Sequence, residues 1–310
     1  MQLNAREETP VVSVWMITYN HEKFIRQSIE SVLMQKTNFP IELVIGEDCS
    51  TDGTRKIIEE LEQKYPQVIK PVYHKSNVGA ARNAYEFCLP KLKGKYVACL
   101  EGDDYWMDPF KLQKQVDFLE ANPDYILSFH DCKVVDRDNK VLKEGRLAEN
   151  FKKDLPQESI ILGSLIPTNT VLFRNRVITC PKEIFSVTNN DTFLFALLGQ
   201  HGKAKFSNDV QPSAYRVHDG GIWSSIDNLE KRKSGLNTYE QLYKVIDSKY
   251  KHLIKKALFT RRLMLIKQNK SVLDSIKYYI NSYNYFYFGN GMYKTWLKSH
   301  YDLLKQLYRN

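Results

Sequence analysis

The stretch YVACLEGDDYW, residues 96–106, decides how the chain is read. Tyr96 to Leu100 is a short apolar run with strand character, and Glu101, Asp103 and Asp104 follow within four residues. Carboxylates crowded at the end of a strand repel one another unless a cation lies among them, and oxygen donors at this density suit Mg²⁺ or Mn²⁺. In an open α/β sheet that end of the strand is also where ligands bind. The plainer reading is a solvated acidic turn leading into a helix near Pro109, so the flanking sequence has to choose.

Upstream, residues 11–17 (VVSVWMI) and 41–45 (IELVI) are further strand-like runs, and 68–73 is a shorter one. Between them, Phe24, Ile25, Ile29, Val32 and Leu33 recur at helical spacing, as do Ile57, Ile58 and Leu61. Strands alternating with helices at this interval predict βαβ units and a mainly parallel, doubly wound sheet. The loop GEDCSTDGTRKIIEE matches the ligand spacing of an EF-hand at Asp48, Ser50, Asp52, Gly53 and Glu59, but that motif needs a preceding helix, and IELVI is a strand. A strand-to-helix turn, capped by Ser50, Thr51 or Thr54 and relieved by Gly53, is the better reading.

The chain has 310 residues, 43% of them hydrophobic, enough for one large core and an appended module. No apolar run is long enough to span a bilayer, and the N-terminal residues lack the build of a signal peptide, so a cytoplasmic protein is expected. Five scattered cysteines without a C-x-x-C pair argue against a disulfide framework or a zinc site. The net charge of +9 sits in the tail: from residue 230 onward there are 17 Lys or Arg against 5 acids. That tail reads as helix, with an aromatic segment at Tyr279, Tyr283, Tyr285, Phe286, Tyr287 and Phe288 and more helix from Met292. It could pack on the rest of the chain, pair with another subunit, or lie on an anionic membrane through Lys255, Lys256, Arg261 and Arg262. Nucleic acid is not expected as a partner, since the first part of the chain is acidic and carries no matching motif.

Taken in order, TYN after the first strand, EDCSTDGT after the second, NVGAARN before a helix, EGDDYW with DPFKLQKQVDFL, and finally YRVHDGGIWS resemble the family 2 glycosyltransferases. The resemblance implies the GT-A fold over residues 1–228, with 229–310 as a helical C-terminal region. It implies an inverting enzyme that moves a sugar from a nucleotide donor, UDP being the commonest, to a saccharide or lipid-linked saccharide acceptor in surface polysaccharide synthesis. Such an enzyme would stay cytoplasmic or peripheral at the inner face of the membrane.

By the same resemblance Thr18 and Tyr19 line the base pocket, Asp48 accepts from the base, and Arg82 approaches the nucleotide. Asp103 meets metal or ribose, and Asp104 and His218 meet the metal, Mn²⁺ or Mg²⁺. Glu101 replaces the commoner first Asp of the D-x-D motif, which leaves the choice of ligand among these acids open. Asp191 is the catalytic base, although Asn-Asp stands where the family often has Glu-Asp, and an Asp before a helix is also a good N-cap. Gly220-Gly221 suggests a loop that closes over the donor. Two other readings compete. A sugar-nucleotide nucleotidyltransferase would show a Gly-rich loop after the first strand, which TYNHEKF lacks; a non-catalytic nucleotide-sugar or polyanion-binding protein has no need of Asp103, Asp104 and Asp191. Donor sugar, acceptor and linkage are not written in these residues.

Overall fold

A computed structural model describes residues 9–175, 180–219, 227–266, 272–282, 297, 298, 300 and 301. The Gly220-Gly221 loop, the aromatic segment 283–288 and the helix expected from Met292 to residue 296 lie outside them. The chain forms two compact units, the first of residues 1–157, 165–180 and 201–218, the second of 158–164, 181–200 and 219–310.

The first unit is built on a seven-stranded sheet. Its strands are β1 (Val12–Thr18), β2 (Ile41–Glu47), β3 (Ile69–Tyr73), β4 (Tyr96–Cys99), β5 (Tyr125–Phe129), β8 (Leu172–Arg174) and β9 (Lys203–Phe206), in the order β3-β2-β1-β4-β8-β5-β9. Every pairing is parallel except those of β8, which runs against both β4 and β5. The doubly wound, mainly parallel sheet expected from the apolar runs is therefore present. Three short strands, β6 (Cys132–Val135), β7 (Val141–Lys143) and β10 (Ser213–Arg216), form a second sheet in the order β10-β6-β7.

The apolar residues that suggested helices face the main sheet. Helix α1 (Ile25–Leu33) buries Ile25, Ile29 and Val32, and α3 (Lys111–Ala121) buries Leu112, Val116 and Leu119, all against Val14, Met16, Tyr96 and Ala98 of the strands. Helix α2 (Thr54–Lys64) adds Ile58 and Leu61. Residues Arg82–Cys88 form a wide π-helix, a feature the periodicity does not predict. Its Asn83 is buried, donates to the carbonyl of Gly46 at 2.8 Å and pairs through Oδ1 with His74 Nε2 at 3.0 Å. A Cβ on Gly46 would stand 2.1 Å from that Oδ1 and 2.5 Å from Cys88 Sγ. Gly46→Ala is therefore expected to destabilise the protein by about 2–4 kcal/mol, through overpacking and a broken buried hydrogen bond, as read by urea denaturation. A wild-type midpoint would show that the π-helix yields more easily than this packing implies.

Trp106 is core: it is buried, its indole N–H donates to Asn169 O at 2.7 Å, and Lys111 Nζ lies 4.3 Å from its ring centre. Before β8 begins at Leu172, Thr168–Thr170 turn through a short 3-10 helix.

The second unit is helical, with α4 (Gln157–Ile161) at its edge in sequence, α5 (Asn190–Gly199), α6 (Asn228–Val245), α7 (Lys251–Ile266) and α8 (Val272–Ser282). Asp227 caps α6 by accepting from the N–H groups of Leu229 and Glu230. Arg262 of α7 pairs with Glu240 of α6 at 2.6 Å. Among the described residues no helix is long and apolar enough to cross a membrane.

Candidate active site

The carboxyl ends of β1, β2 and β4 lie side by side, as the parallel register requires, with Thr18 opposite Glu47 and Trp15 opposite Cys99. Each of the first two strands ends in a tight reversal through a non-glycine residue in the left-handed region, Asn20 at φ 56° and Cys49 at φ 58°. The reversals hold each other. Asn20 N–H donates to Ser50 Oγ at 3.0 Å, Thr51 N–H to Asn20 Oδ1 at 2.8 Å, His21 N–H to Thr54 Oγ1 at 2.8 Å, and Glu22 N–H to Asp52 Oδ2 at 3.1 Å. The helix start expected at Ser50, Thr51 or Thr54 is organised by Asp52 instead, whose Oδ1 accepts from the N–H and hydroxyl of Thr54. These bonds occupy Ser50 and Asp52, two of the side chains that mimic an EF-hand.

The acidic turn after β4 lies against this pair of loops. Gly102 makes the approach possible, because a Cβ there would sit 2.6 Å from Thr18 Oγ1 and 3.0 Å from His21 Nδ1. Asp103 Oδ2 is 3.0 Å from His218 Nε2 and 3.8 Å from His21 Nε2. Among the described residues His21, Asp103 and His218 form the one cluster of three such side chains whose donor atoms all lie within 4.8 Å of one another. Two imidazoles and one carboxylate are a donor set that fits a divalent cation.

Adjacent carboxyls in this turn are pushed apart in proton affinity. Burial raises Asp103, but the His218 hydrogen bond and the charges of His21 and His218 outweigh it, and the carboxyl is held below its usual range. Asp104 is raised well above that range by burial and then by the charges of Asp103 and Glu101. Opposite shifts in two adjacent acids are what like charges in close, buried contact produce. Burial pushes the His21 imidazole below its ordinary value against the pull of Asp103, which favours the neutral form that binds metals.

Of the expected site residues, the fold brings Asp103 and His218 together, with buried Thr18 beside the intervening glycine. Asp104 faces elsewhere: its Oδ1 accepts from the backbone N–H of Arg216 at 2.8 Å. Tyr19 is 42% exposed at the mouth of the first loop. Asp48 is buried and its two oxygens accept from the N–H groups of Val78 at 2.7 Å and Gly79 at 3.0 Å, while Asn77 Nδ2 donates to its carbonyl at 3.2 Å. Asp48 thus anchors the NVG loop, and its remaining lone pairs can still accept a ligand N–H. Arg82 lies on the exposed face of the π-helix in a bidentate pair with Glu86, at 2.7 and 3.0 Å. Asp191 belongs to the second unit; it is exposed in the first turn of α5, one residue inside the helix rather than at its cap, and its Oδ1 accepts from Thr192 N–H at 2.6 Å.

Two residues of this site were not assigned from the sequence. His21 directly follows TYN, a position whose direction depends on the left-handed turn at Asn20. Arg216 is 3% exposed and fans its guanidinium over Asp103 O at 2.8 Å, Gln27 Oε1 at 2.8 Å and Asn139 Oδ1 at 2.9 Å, with Phe24 and Tyr105 on its faces. The string YRVH was visible, but nothing in it says that the arginine points inward.

A mainly parallel sheet with one antiparallel strand let into it, flanked by helices, is the GT-A fold of glycosyltransferases. The solved structure of Staphylococcus aureus TarS residues 1–349 with UDP-GlcNAc shares the fold at a TM-score of 0.61 and 20% identity, over 95% of this chain and 81% of that one. The profile of Glycosyl transferase family 2 matches residues 13–178, more than half of the chain, and the chain belongs to that family. An uncharacterized Mycobacterium tuberculosis protein, Rv1520, is 32% identical over 217 residues, which span 69% of this chain and 61% of the relative. The Escherichia coli UDP-Glc:alpha-D-GlcNAc-diphosphoundecaprenol beta-1,3-glucosyltransferase WfaP is 36% identical over 111 residues, 36% of this chain and 42% of its own length. The chain thus spans about three fifths of the length of the mycobacterial relative it matches.

Proposed function

We propose that the protein transfers a sugar from a nucleoside-diphosphate donor, with UDP as the nucleotide, to an acceptor hydroxyl with inversion at the anomeric carbon. The observation that carries this reading is the meeting of Asp103 with His218 beside Thr18 at the carboxyl edge of the sheet. The donor carried in the TarS structure and the donor in the name of WfaP support a UDP-sugar, and the lipid-linked acceptor in the latter name supports a lipid-linked saccharide here. The basic C-terminal helices suit a protein that works at an anionic membrane face, where such an acceptor resides.

In this reading Thr18, Tyr19 and Asp48 receive the base and Asp103 and His218 hold the cation. Asp104 holds the turn in place by accepting from the backbone N–H of Arg216. A cation held by these two residues would supply positive charge to the diphosphate as the bond to the sugar breaks. Asp191 takes the proton of the acceptor hydroxyl, which a single displacement requires from a carboxylate on the acceptor side.

Thermal melting with UDP, GDP, CDP and dTDP, each with and without Mn²⁺, tests the donor site. UDP with Mn²⁺ is expected to raise the melting temperature by several degrees, since a ligand at a hundredfold excess over its Kd adds about 3 kcal/mol of apparent stability. Asp191→Asn should keep that shift and lose transfer by about 10²–10⁴-fold. Absence of any shift at millimolar nucleotide would end the donor-site reading, and an active Asp191→Asn enzyme would end the assignment of the base.

A further inference from the structure

The motif residues Asp103 and His218 do not account for the third member of the cluster. His21 leaves the loop after β1 with its backbone fixed on both sides: its N–H donates to Thr54 Oγ1 and its carbonyl accepts from the N–H groups of Phe24 and Ile25, both at 2.8 Å. Its side chain is mostly buried, at 16% exposure, and its ring stands edge-on to that of His218 with centroids 5.9 Å apart. Nδ1 is buried without a hydrogen-bond partner among the described residues, and Nε2 points toward Asp103 Oδ2 across 3.8 Å.

That distance is informative. It is too long for a hydrogen bond, which ends near 3.2 Å for N–H···O. Two ligands of one ion, each at about 2.1 Å, stand roughly 3 to 4 Å apart, and 3.8 Å falls within that span. A rigidly held imidazole with neither nitrogen in a hydrogen bond, aimed at an ionised carboxylate, is arranged to receive a cation between them. Acids alone would suit Mg²⁺, which favours oxygen and keeps its water, whereas each imidazole moves preference toward Mn²⁺, Co²⁺ and Zn²⁺.

We infer that His21 is a protein ligand of the cation, completing with Asp103 and His218 a two-imidazole, one-carboxylate site that selects transition-metal ions over Mg²⁺. The inference rests on the donor-site reading above and adds to it both a residue and an ion class. It explains why the loop after β1 is laced to the loop after β2: the bonds of Asn20, Glu22 and His21 to Ser50, Asp52 and Thr54 aim the ring.

The test uses the full chain and Mn²⁺ itself, followed by electron paramagnetic resonance with and without UDP or GDP. Wild-type protein is expected to bind Mn²⁺, to resist displacement by a tenfold excess of Mg²⁺, and to show ¹⁴N coupling from two imidazoles in pulsed spectra. His21→Gln should bind Mn²⁺ some ten- to a hundredfold more weakly and show coupling from one. His21→Asp, which exchanges nitrogen for oxygen, should bring the Mg²⁺ and Mn²⁺ affinities closer together. Unchanged Mn²⁺ affinity and unchanged ¹⁴N coupling in His21→Gln would overturn the inference and leave the donor site standing. So would ready displacement of Mn²⁺ from the wild type by Mg²⁺, a result that needs no variant to fold. Failure of the wild type to bind Mn²⁺ under any of these conditions would remove the donor-site reading and this inference together.

Discussion

Asp103→Asn is expected to lower kcat/KM for sugar transfer by at least about a thousandfold, equivalent to some 4 kcal/mol of transition-state stabilisation, without loss of the fold. The side chain keeps its shape and an oxygen for His218, so the change is almost purely one of charge. Against its burial, the His218 hydrogen bond and the charges of His21 and His218 hold that carboxyl below its usual range, whereas burial and the charges of Asp103 and Glu101 raise Asp104. The same electrostatics set the sign of the stability effect. A carboxyl held below its usual range stabilises the fold through its charge, so the melting temperature should fall slightly while activity disappears. Initial-rate assays with the sugar nucleotide chosen by thermal melting, run beside melts of the variant, check both halves. Activity within tenfold of wild type would mean that the turn does not carry the cation.

The largest loss of stability should come from Arg216→Met, at about 3–4 kcal/mol in urea denaturation. Methionine fills much of the volume but strands Asp103 O, Gln27 Oε1 and Asn139 Oδ1, three acceptors that now receive charge-assisted bonds from one buried guanidinium. Asp136 O and Arg137 O, at 3.4 and 3.3 Å, lose weaker ones. Arg216→Lys should recover little, since an ammonium cannot direct a planar fan of N–H groups to partners on different elements while stacked between Phe24 and Tyr105. The carbonyl of Asp103 would also lose its restraint, so Mn²⁺ binding should weaken in both variants. A lysine variant as stable as the wild type would show that positive charge alone, not the fan, holds this turn.

Much of the fold is legible in the sequence because its central strands are buried on both faces and read as continuous apolar runs, as at Val12–Thr18 and Ile41–Glu47. The second sheet is not. Val141–Lys143 is wholly exposed, and Cys132–Val135 and Ser213–Arg216 mix polar with apolar residues, so no period separates them from loop. The π-helix at Arg82–Cys88 is invisible for a different reason: its geometry comes from Asn83 reaching under Gly46, a contact across 37 residues. Within the site, Asp103 and His218 stand out through their motifs. The separate fates of Asp103 and Asp104 do not, because neighbours in a turn diverge according to what meets them, here a histidine for one and the backbone of Arg216 for the other. His21 escaped notice because its aim is set by a left-handed Asn20 and by four bonds to a loop some thirty residues away.

The partners of the acidic turn lie far along the chain: 112 residues separate Asp104 from Arg216, 115 separate Asp103 from His218, and 189 separate Gln27 from Arg216. A ribosome adding 5–20 residues per second delivers those partners roughly 5 to 25 s after the acids themselves. The strands β1 to β4 can pair in that interval, since all their hydrogen-bonding edges to one another are already made. The growing polypeptide therefore passes through a stage with a sheet and no cation pocket, its carboxyls still without the arginine and histidine that order them. The groups proposed to meet the base come early in the chain, and the cation pocket is completed only when Arg216 and His218 arrive.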